Sequence, residues 1–253
     1  MIFIKRLFLI FTFFACYLTS ENCKAQKTNQ FNANNKRTGV WEKYHPNKRI
    51  RYTGKFENGK EIGVFRFYDR TTSEKPVIIK TFFKDSDSLF VKFYSVKGNI
   101  KSEGALNGRK RVGSWRYFYP NGAIMSKENY KDGALHGEQL VYYPTGQITE
   151  FSEYKNGLLE GSTRKFSSKG ILIEEITYIK DIPNGLAKFF ELNGDLKETG
   201  IYKDGERDGN WKYYLEGEIA SEEEEKKLKK SFIKNNKTSK FYLEGFYASS
   251  LKG

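Results

Sequence analysis

The chain has 253 residues, of which 38% are apolar, 30% charged and 16% aromatic, a composition too apolar and too aromatic for a disordered chain. Its 44 basic residues against 31 acidic ones give a net charge of +13, which favours acidic partners such as lipid headgroups, anionic polysaccharide or acidic proteins. Five prolines and two methionines exclude a proline-rich linker and a methionine-rich docking surface.

At the N-terminus, Lys5 and Arg6 precede an uncharged run of 12 residues, Leu7 to Leu18. That is a basic region followed by an apolar stretch too short to span a bilayer. Cys23-Lys24-Ala25 then offers small residues where a signal peptidase reads, so residues 1–25 are expected to be an export signal. Lipidation at Cys16 is the other reading and would tether the chain without spanning the membrane, although Phe13 and Phe14 fit poorly before a lipidated cysteine. Both cysteines, Cys16 and Cys23, lie in this segment; the processed chain would have no disulfide, thiol nucleophile or cysteine-based metal site. Processing removes three basic residues and one acidic residue, leaving +11. A polar lead, residues 26–38, follows.

From Gly39 a 24-residue period governs the sequence. Gly39, Gly63, Gly113, Gly137, Gly161, Gly185 and Gly209 mark the unit starts, with Leu89 in the same place if the second unit has 26 residues. Five positions on, every unit has an aromatic residue: Tyr44, Tyr68, Tyr94, Phe118, Tyr142, Phe166, Phe190 and Tyr214. Such a period denotes an array of one small supersecondary unit. The unit from Gly113 to His136 is the cleanest. An aromatic run, Trp115 to Tyr119, meets the turn signal Pro120-Asn121-Gly122, and a second extended run, Ala123 to Tyr130, ends in Lys131-Asp132-Gly133. Proline pre-sets one corner of a turn, and Asp-Gly or Asn-Gly is the strongest short hairpin signal. The unit therefore reads strand, turn, strand, turn, with strands near six residues. Helix is excluded because two turns per unit leave no uninterrupted run of ten residues or more. The unit glycine is expected to close a hairpin turn, and the following aromatic to bury the seam between neighbours.

The remaining units drift from this pattern. Arg70 to Pro76 lengthens one loop, and Ile179-Lys180-Asp181 replaces one Asn-Gly turn. At the C-terminus, residues 240–249 echo 212–221, which suggests a degenerate ninth unit capping the array. Between them, Ser221 with Glu224 resembles a capping box, and Glu223 with Lys227 has helical spacing, so a helical turn or two is expected there. The expected organisation is thus signal 1–25, lead 26–38, repeats 39–219, and a charged insertion with capping repeat over 220–253.

The run Tyr130 to Gly137, with its cousins Tyr154 to Gly161 and Tyr202 to Gly209, resembles MORN repeats. The half-unit Trp115 to Gly122 is similar to the bacterial variant found in YwqK-like proteins. The resemblance covers roughly residues 39–219 and implies an all-β fold, an elongated open array of stacked antiparallel β-hairpins with eight to nine units. It also implies a membrane-associated, scaffolding or antitoxin role, and says little about which. An export signal fits a cytoplasmic antitoxin badly.

The position three after each unit start reads Glu42, Arg66, Lys92, Arg116, Leu140, Arg164, Lys188 and Lys212. At two strands per unit these side chains would recur about every 10 Å along one face. Arg66, Lys92, Arg116, Arg164, Lys188 and Lys212 are therefore the candidate contact stripe; a solvated row that keeps the sheet soluble is the plainer explanation. Catalysis has little to stand on. His45 and His136 are the only histidines and sit in different units. There is no serine elbow, zinc-type histidine pair or phosphate loop. Glu174 and Glu175 adjoin on one strand and so point to opposite faces. The expectation is a non-enzymatic exported binding or scaffolding protein without cofactor or metal. It would meet a protein partner or an anionic envelope surface rather than nucleic acid, and an inhibitor docking one protein is the second reading.

Overall fold

The computed structural model describes residues 27–83 and 86–228. The proposed signal, with its cleavage and lipidation positions, and the proposed ninth unit lie outside the described residues. The described residues fall into two compact units, divided between Gly98 and Asn99. In the first unit the strands are β1 Gln30–Phe31, β2 Arg37–Tyr44, β3 Ile50–Glu57, β4 Lys60–Tyr68, β5 Pro76–Phe82 and β6 Ser88–Tyr94. The second contains β7 Ile100–Asn107, β8 Lys110–Phe118, β9 Ile124–Lys131, β10 Ala134–Tyr142, β11 Ile148–Lys155 and β12 Leu158–Phe166. It continues with β13 Leu172–Ile179, β14 Ile182–Phe190, β15 Leu196–Lys203, β16 Glu206–Leu215 and β17 Glu218–Ile219. Within each unit every strand pairs antiparallel with the next, as in β2–β3, β3–β4, β8–β9 and β15–β16. The all-β hairpin architecture is therefore what the chain adopts. Most strands run eight or nine residues, longer than the expected six, because alternate turns consume only two residues.

Those tight turns are Asn58-Gly59, Asp132-Gly133, Asn156-Gly157, Lys180-Asp181 and Asp204-Gly205, with positive φ at both positions. This is the turn whose twist suits a two-residue hairpin. Each turn's second N–H donates to a carbonyl 22 residues back: Gly59 to Arg37, Gly133 to Arg111, Gly157 to Leu135, Asp181 to Leu159 and Gly205 to Pro183. The opposite edge has wider turns, where Gly122 N–H donates to Tyr119 C=O and Gly146 N–H to Tyr143 C=O. Side chains there bind the following repeat: Tyr119 Oη donates to Tyr142 C=O at 2.8 Å, and Tyr143 Oη to Phe166 C=O at 3.2 Å.

The unit glycine has a different place from the one expected. Gly113, Gly137 and Gly161 lie inside strands β8, β10 and β12, several residues past the tight turn, where the pairing register shifts. Their φ angles of 64°, 90° and 119° show a β-bulge, which needs a residue tolerant of positive φ.

The aromatic expectation also needs correction. Tyr44 is 48% exposed, and Tyr68, Phe118, Tyr142, Phe166 and Phe190 are only half-buried. The buried column lies two residues after the glycine and includes Phe65, Val91, Trp115, Thr163, Ala187 and Trp211. Glycine bulging rotates the strand so that this position, not the fifth, faces the packed side of the sheet.

At the chain's last described part, a helical segment spans 222–228. Glu224 accepts from both Ser221 N–H at 2.9 Å and Ser221 Oγ at 2.6 Å, and Lys227 pairs with Glu223 at 3.1 Å. Leu228 and Ala220 pack against Ile176, Ala187, Trp211 and Tyr213.

Candidate functional site

The two faces of each sheet carry different chemistry. On one, the candidate stripe forms cross-strand rows. In the first unit the register runs Glu42, Thr53, Arg66, Ile79, Lys92. In the second it runs Glu103, Arg116, Lys127, Leu140, Phe151, Arg164, Glu175, Lys188, Thr199, Lys212. The intervening strands thus insert residues the stripe alone did not reveal. Arg116 is ion-paired to Glu103. Glu175 accepts from Arg164 Nε at 2.8 Å and has Lys188 Nζ 3.6 Å away. Arg164's hydrogen bond, ahead of the charge of Lys188, holds the Glu175 carboxyl below its ordinary range. Two aromatic rings join this face: Arg164 lies 5.4 Å from the Phe151 ring and Lys127 5.5 Å from that of Tyr142.

The packed face is built on a second row, Trp115, Glu128, Gln139, Ser152, Thr163, Ile176, Ala187. Gly104 stands before it and Gly200 with Trp211 after it. A Cβ on Gly104 would fall within the indole of Trp115, and one on Gly200 within that of Trp211. Neither glycine has positive φ; each is needed for the space its hydrogen leaves. Elsewhere in the row Ala187 lies beside Ile176 and Thr163 beside Ser152.

All three tryptophans of the chain occur as Arg-x-Gly-x-Trp, at Arg37–Trp41, Arg111–Trp115 and Arg207–Trp211. The motif is readable in the sequence, offset from the glycine and fifth-position aromatic that carry the 24-residue period. Each guanidinium lies over its indole, 4.8, 5.0 and 3.9 Å from the ring centroid, a cation–π contact. Around Trp115, Arg111 Nη1 donates to Tyr130 Oη at 3.0 Å, and Tyr130 Oη donates to Glu128 at 2.5 Å. Glu128 also accepts from Ser126 and Gln139. Burial, a hydrogen bond with Tyr130 and the Glu128 charge push the Tyr117 phenol up, and burial with Glu128 does the same to Tyr130. Around Trp211, Arg207 instead binds buried Glu198 at 3.0 Å and Tyr213 Oη at 3.3 Å.

The histidines take separate structural places. His45 Nε2 is 3.2 Å from Tyr68 C=O, and His136 Nδ1 accepts from Asn156 N–H at 3.5 Å. Glu174 pairs with Lys165 on the packed face while Glu175 serves the other. Among the described residues no helix is long and apolar enough to cross a membrane.

The arrangement offers extended rows of charge and aromatic surface. Comparison with curated proteins gives no match. The family model described as MORN repeat variant matches residues 111–132, 135–156 and 183–204. The matched segments coincide with the hairpins β8–β9, β10–β11 and β14–β15, starting two residues before the unit glycine. MORN repeats are commonly binding or scaffolding modules and are generally not catalytic. Three of the chain's bulged, wide-turned hairpins, β8–β9, β10–β11 and β14–β15, thus match the MORN repeat variant.

Proposed function

We propose that the chain is an exported, non-enzymatic module that binds a protein partner along the face bearing Arg66, Lys92, Arg116, Arg164, Lys188 and Lys212. The observation that carries this reading is the mixed row in the second unit. Five cations there share the row with the carboxylates Glu103 and Glu175, with Leu140 and Phe151, and with Thr199. A fixed pattern of both signs and apolar groups selects a complementary protein surface, since wrong charges placed opposite it repel. The row's excess of cations supports the second reading, attraction to an anionic envelope surface. Export is supported by Lys5, Arg6 and the uncharged run after them, and N-terminal sequencing of the protein recovered outside the cytoplasm tests it.

A charge swap separates the two readings. Arg164→Glu combined with Glu175→Arg keeps net charge and inverts the pattern. The swap should abolish crosslinking to a stoichiometric envelope protein while leaving adsorption to phosphatidylglycerol vesicles unchanged. Retained crosslinking would reject the patterned face, and loss of vesicle adsorption alone would favour the anionic surface.

A further inference from the structure

The charged face of the second unit has an aliphatic patch where neighbouring repeats are polar, and we propose that it anchors a short, acidic, amphipathic segment of the protein partner. The inference rests on the partner-binding reading and names the chemistry that this face takes.

The patch lies on the hairpin β14–β15 and the strand before it. Leu186 and Ile201 are cross-strand partners, as are Ile179 and Ile182. Strand alternation puts them on the face of the charged row, since Leu186 is two residues from Lys188, Ile201 two from Thr199 and Ile179 four from Glu175. Leu186 is 44% exposed, Ile201 45%, Ile179 47% and Ile182 48%. The other repeats of the unit serve as an internal control. In the place of Leu186, one residue after the unit glycine, they have Ser114, Glu138, Ser162 and Asn210. In that of Ile201 they have Asn129, Glu153 and Thr177, and in that of Ile179 Lys131, Lys155 and Lys203. The hairpin therefore forms with polar residues at these positions, and packing within the sheet does not call for aliphatic ones. A contiguous exposed apolar cluster of this kind marks a contact surface.

Charge and size narrow the occupant. On the wide-turn side of the patch the register runs Lys188, Thr199, Lys212, so two cations about 10 Å apart border Leu186 and Ile201. Of the carboxylates nearby, Glu175 is held by Arg164 with Lys188 3.6 Å away, and Asp208 lies across from Ile201 on the tight-turn side. The cationic surplus thus falls on one flank, and a ligand seated on the patch complements it with carboxylates along that flank. An anionic lipid surface would set phosphates on every side, that of Asp208 included. Four side chains already half covered expose far less than the roughly 800 Å² per partner of a stable protein–protein interface. That extent suits a segment with a few apolar anchors rather than a second copy of the chain.

Fluorescence anisotropy of synthetic helical peptides tests the assignment on the full chain. One probe has leucines on one face with glutamates beside them, a second has lysines for the glutamates, and a third has glutamines for the leucines. The first should bind about tenfold more tightly than either of the others. Leu186→Ser with Ile201→Thr copies the residues of the preceding repeat. It should weaken the first probe about tenfold and leave the thermal midpoint unchanged. Lys188→Glu with Lys212→Glu should transfer the preference to the lysine probe. Absent or equal binding of the three probes would overturn the proposal, as would equal binding of the first to the unaltered chain and the Leu186→Ser, Ile201→Thr variant. Self-association that this variant abolishes in sedimentation would assign the patch to a second copy, and loss of its adsorption to phosphatidylglycerol vesicles would assign it to lipid; either overturns the proposal. Crosslinking to the envelope protein that survives this variant but not the Arg164–Glu175 swap would overturn the patch alone and leave the partner-binding reading standing.

Discussion

The Trp115 and Trp211 nests begin from the same five-residue motif and finish differently. Both indoles lie over a glycine on the preceding strand and under an arginine four residues upstream. Around Trp115 the polar atoms close on one another: the indole has Ala105, the guanidinium has Tyr130, and Tyr130 has Glu128. Around Trp211 the guanidinium is drawn onto Glu198, and the indole N–H and one carboxylate oxygen have no partner among the described residues. A repeat motif thus fixes where a ring goes; the cross-strand neighbours decide whether its polar edge is satisfied. On the following strand Glu128 lies directly opposite Trp115, whereas β17 pairs with Tyr214 and Leu215 and sets no residue opposite Trp211.

The largest effect should come from removing the rings. Trp115→Ala is expected to cost about 3–5 kcal/mol, the range for deleting a buried aromatic side chain. Trp211→Ala should cost less, because it also removes an unsatisfied buried donor. Urea midpoints of the two variants check the order, and equal losses would erase the contrast between the nests.

Filling the space beneath the rings comes next. Gly104→Ala and Gly200→Ala each place a methyl where the indole lies and should cost about 1–3 kcal/mol by overpacking. Gly122→Ala, in a turn with open space around it, would act only through its positive φ and serves as the comparison. The sharper test replaces the indole with a benzene ring. Trp115→Phe removes the indole's donation to the Ala105 carbonyl and should cost about 1 kcal/mol more than Trp211→Phe, which removes no such hydrogen bond among the described residues. Thermal midpoints of the two proteins measure that difference.

Much of this architecture was legible in the sequence, and the reason is local. Asp132-Gly133, Asn156-Gly157 and Asp204-Gly205 are turn chemistry readable at two residues, and the 24-residue spacing places them without any knowledge of pairing. Even Lys180-Asp181, with neither asparagine nor glycine, adopts the same turn, because period and neighbours impose it. The packed column was not legible, since its occupants vary from Trp115 through Gln139 and Thr163 to Ala187. What is set is the cross-strand fit, as with Gly104 beneath Trp115 and Gly200 beneath Trp211. Reading that fit requires the register, and the bulges at Gly113, Gly137 and Gly161 each displace it by two. The aromatic at the fifth position is constant without being core, because half-burial suffices for its place near the wide turns. The stripe positions were visible as a row, while Glu103 and Glu175 between them were not, because they belong to the returning strands.

Alkali should distinguish the nests again. Burial first, then the hydrogen bond with Tyr130 and the Glu128 charge, raise the Tyr117 phenol above its ordinary 10.0; burial and Glu128 raise Tyr130. Above that value the unfolded chain loses these protons while the folded chain keeps them, so the folded state binds more protons. Stability should hold below about pH 10 and fall as pH rises beyond it. Tyr117→Phe should flatten the decline in a series of urea midpoints taken across that range, and an unchanged slope would remove the Trp115 nest as its source.

The smallest expected effect lies on the opposite face, where carboxylates and cations pair in solvent. Arg164's hydrogen bond depresses the Glu175 carboxyl against the opposing effect of burial, with Lys188 assisting. A depressed carboxyl contributes stability above its unfolded value of 4.5 and loses it as pH falls through the folded value. Arg164 and Lys188 are 44% and 38% exposed, so screening should limit the contribution to less than about 1 kcal/mol. Glu175→Gln should therefore lower the urea midpoint slightly near neutrality and match the unaltered chain in acid. A gap that persisted in acid would mean that Glu175 supports the sheet by packing rather than by charge, and the two faces would then differ less than their chemistry indicates.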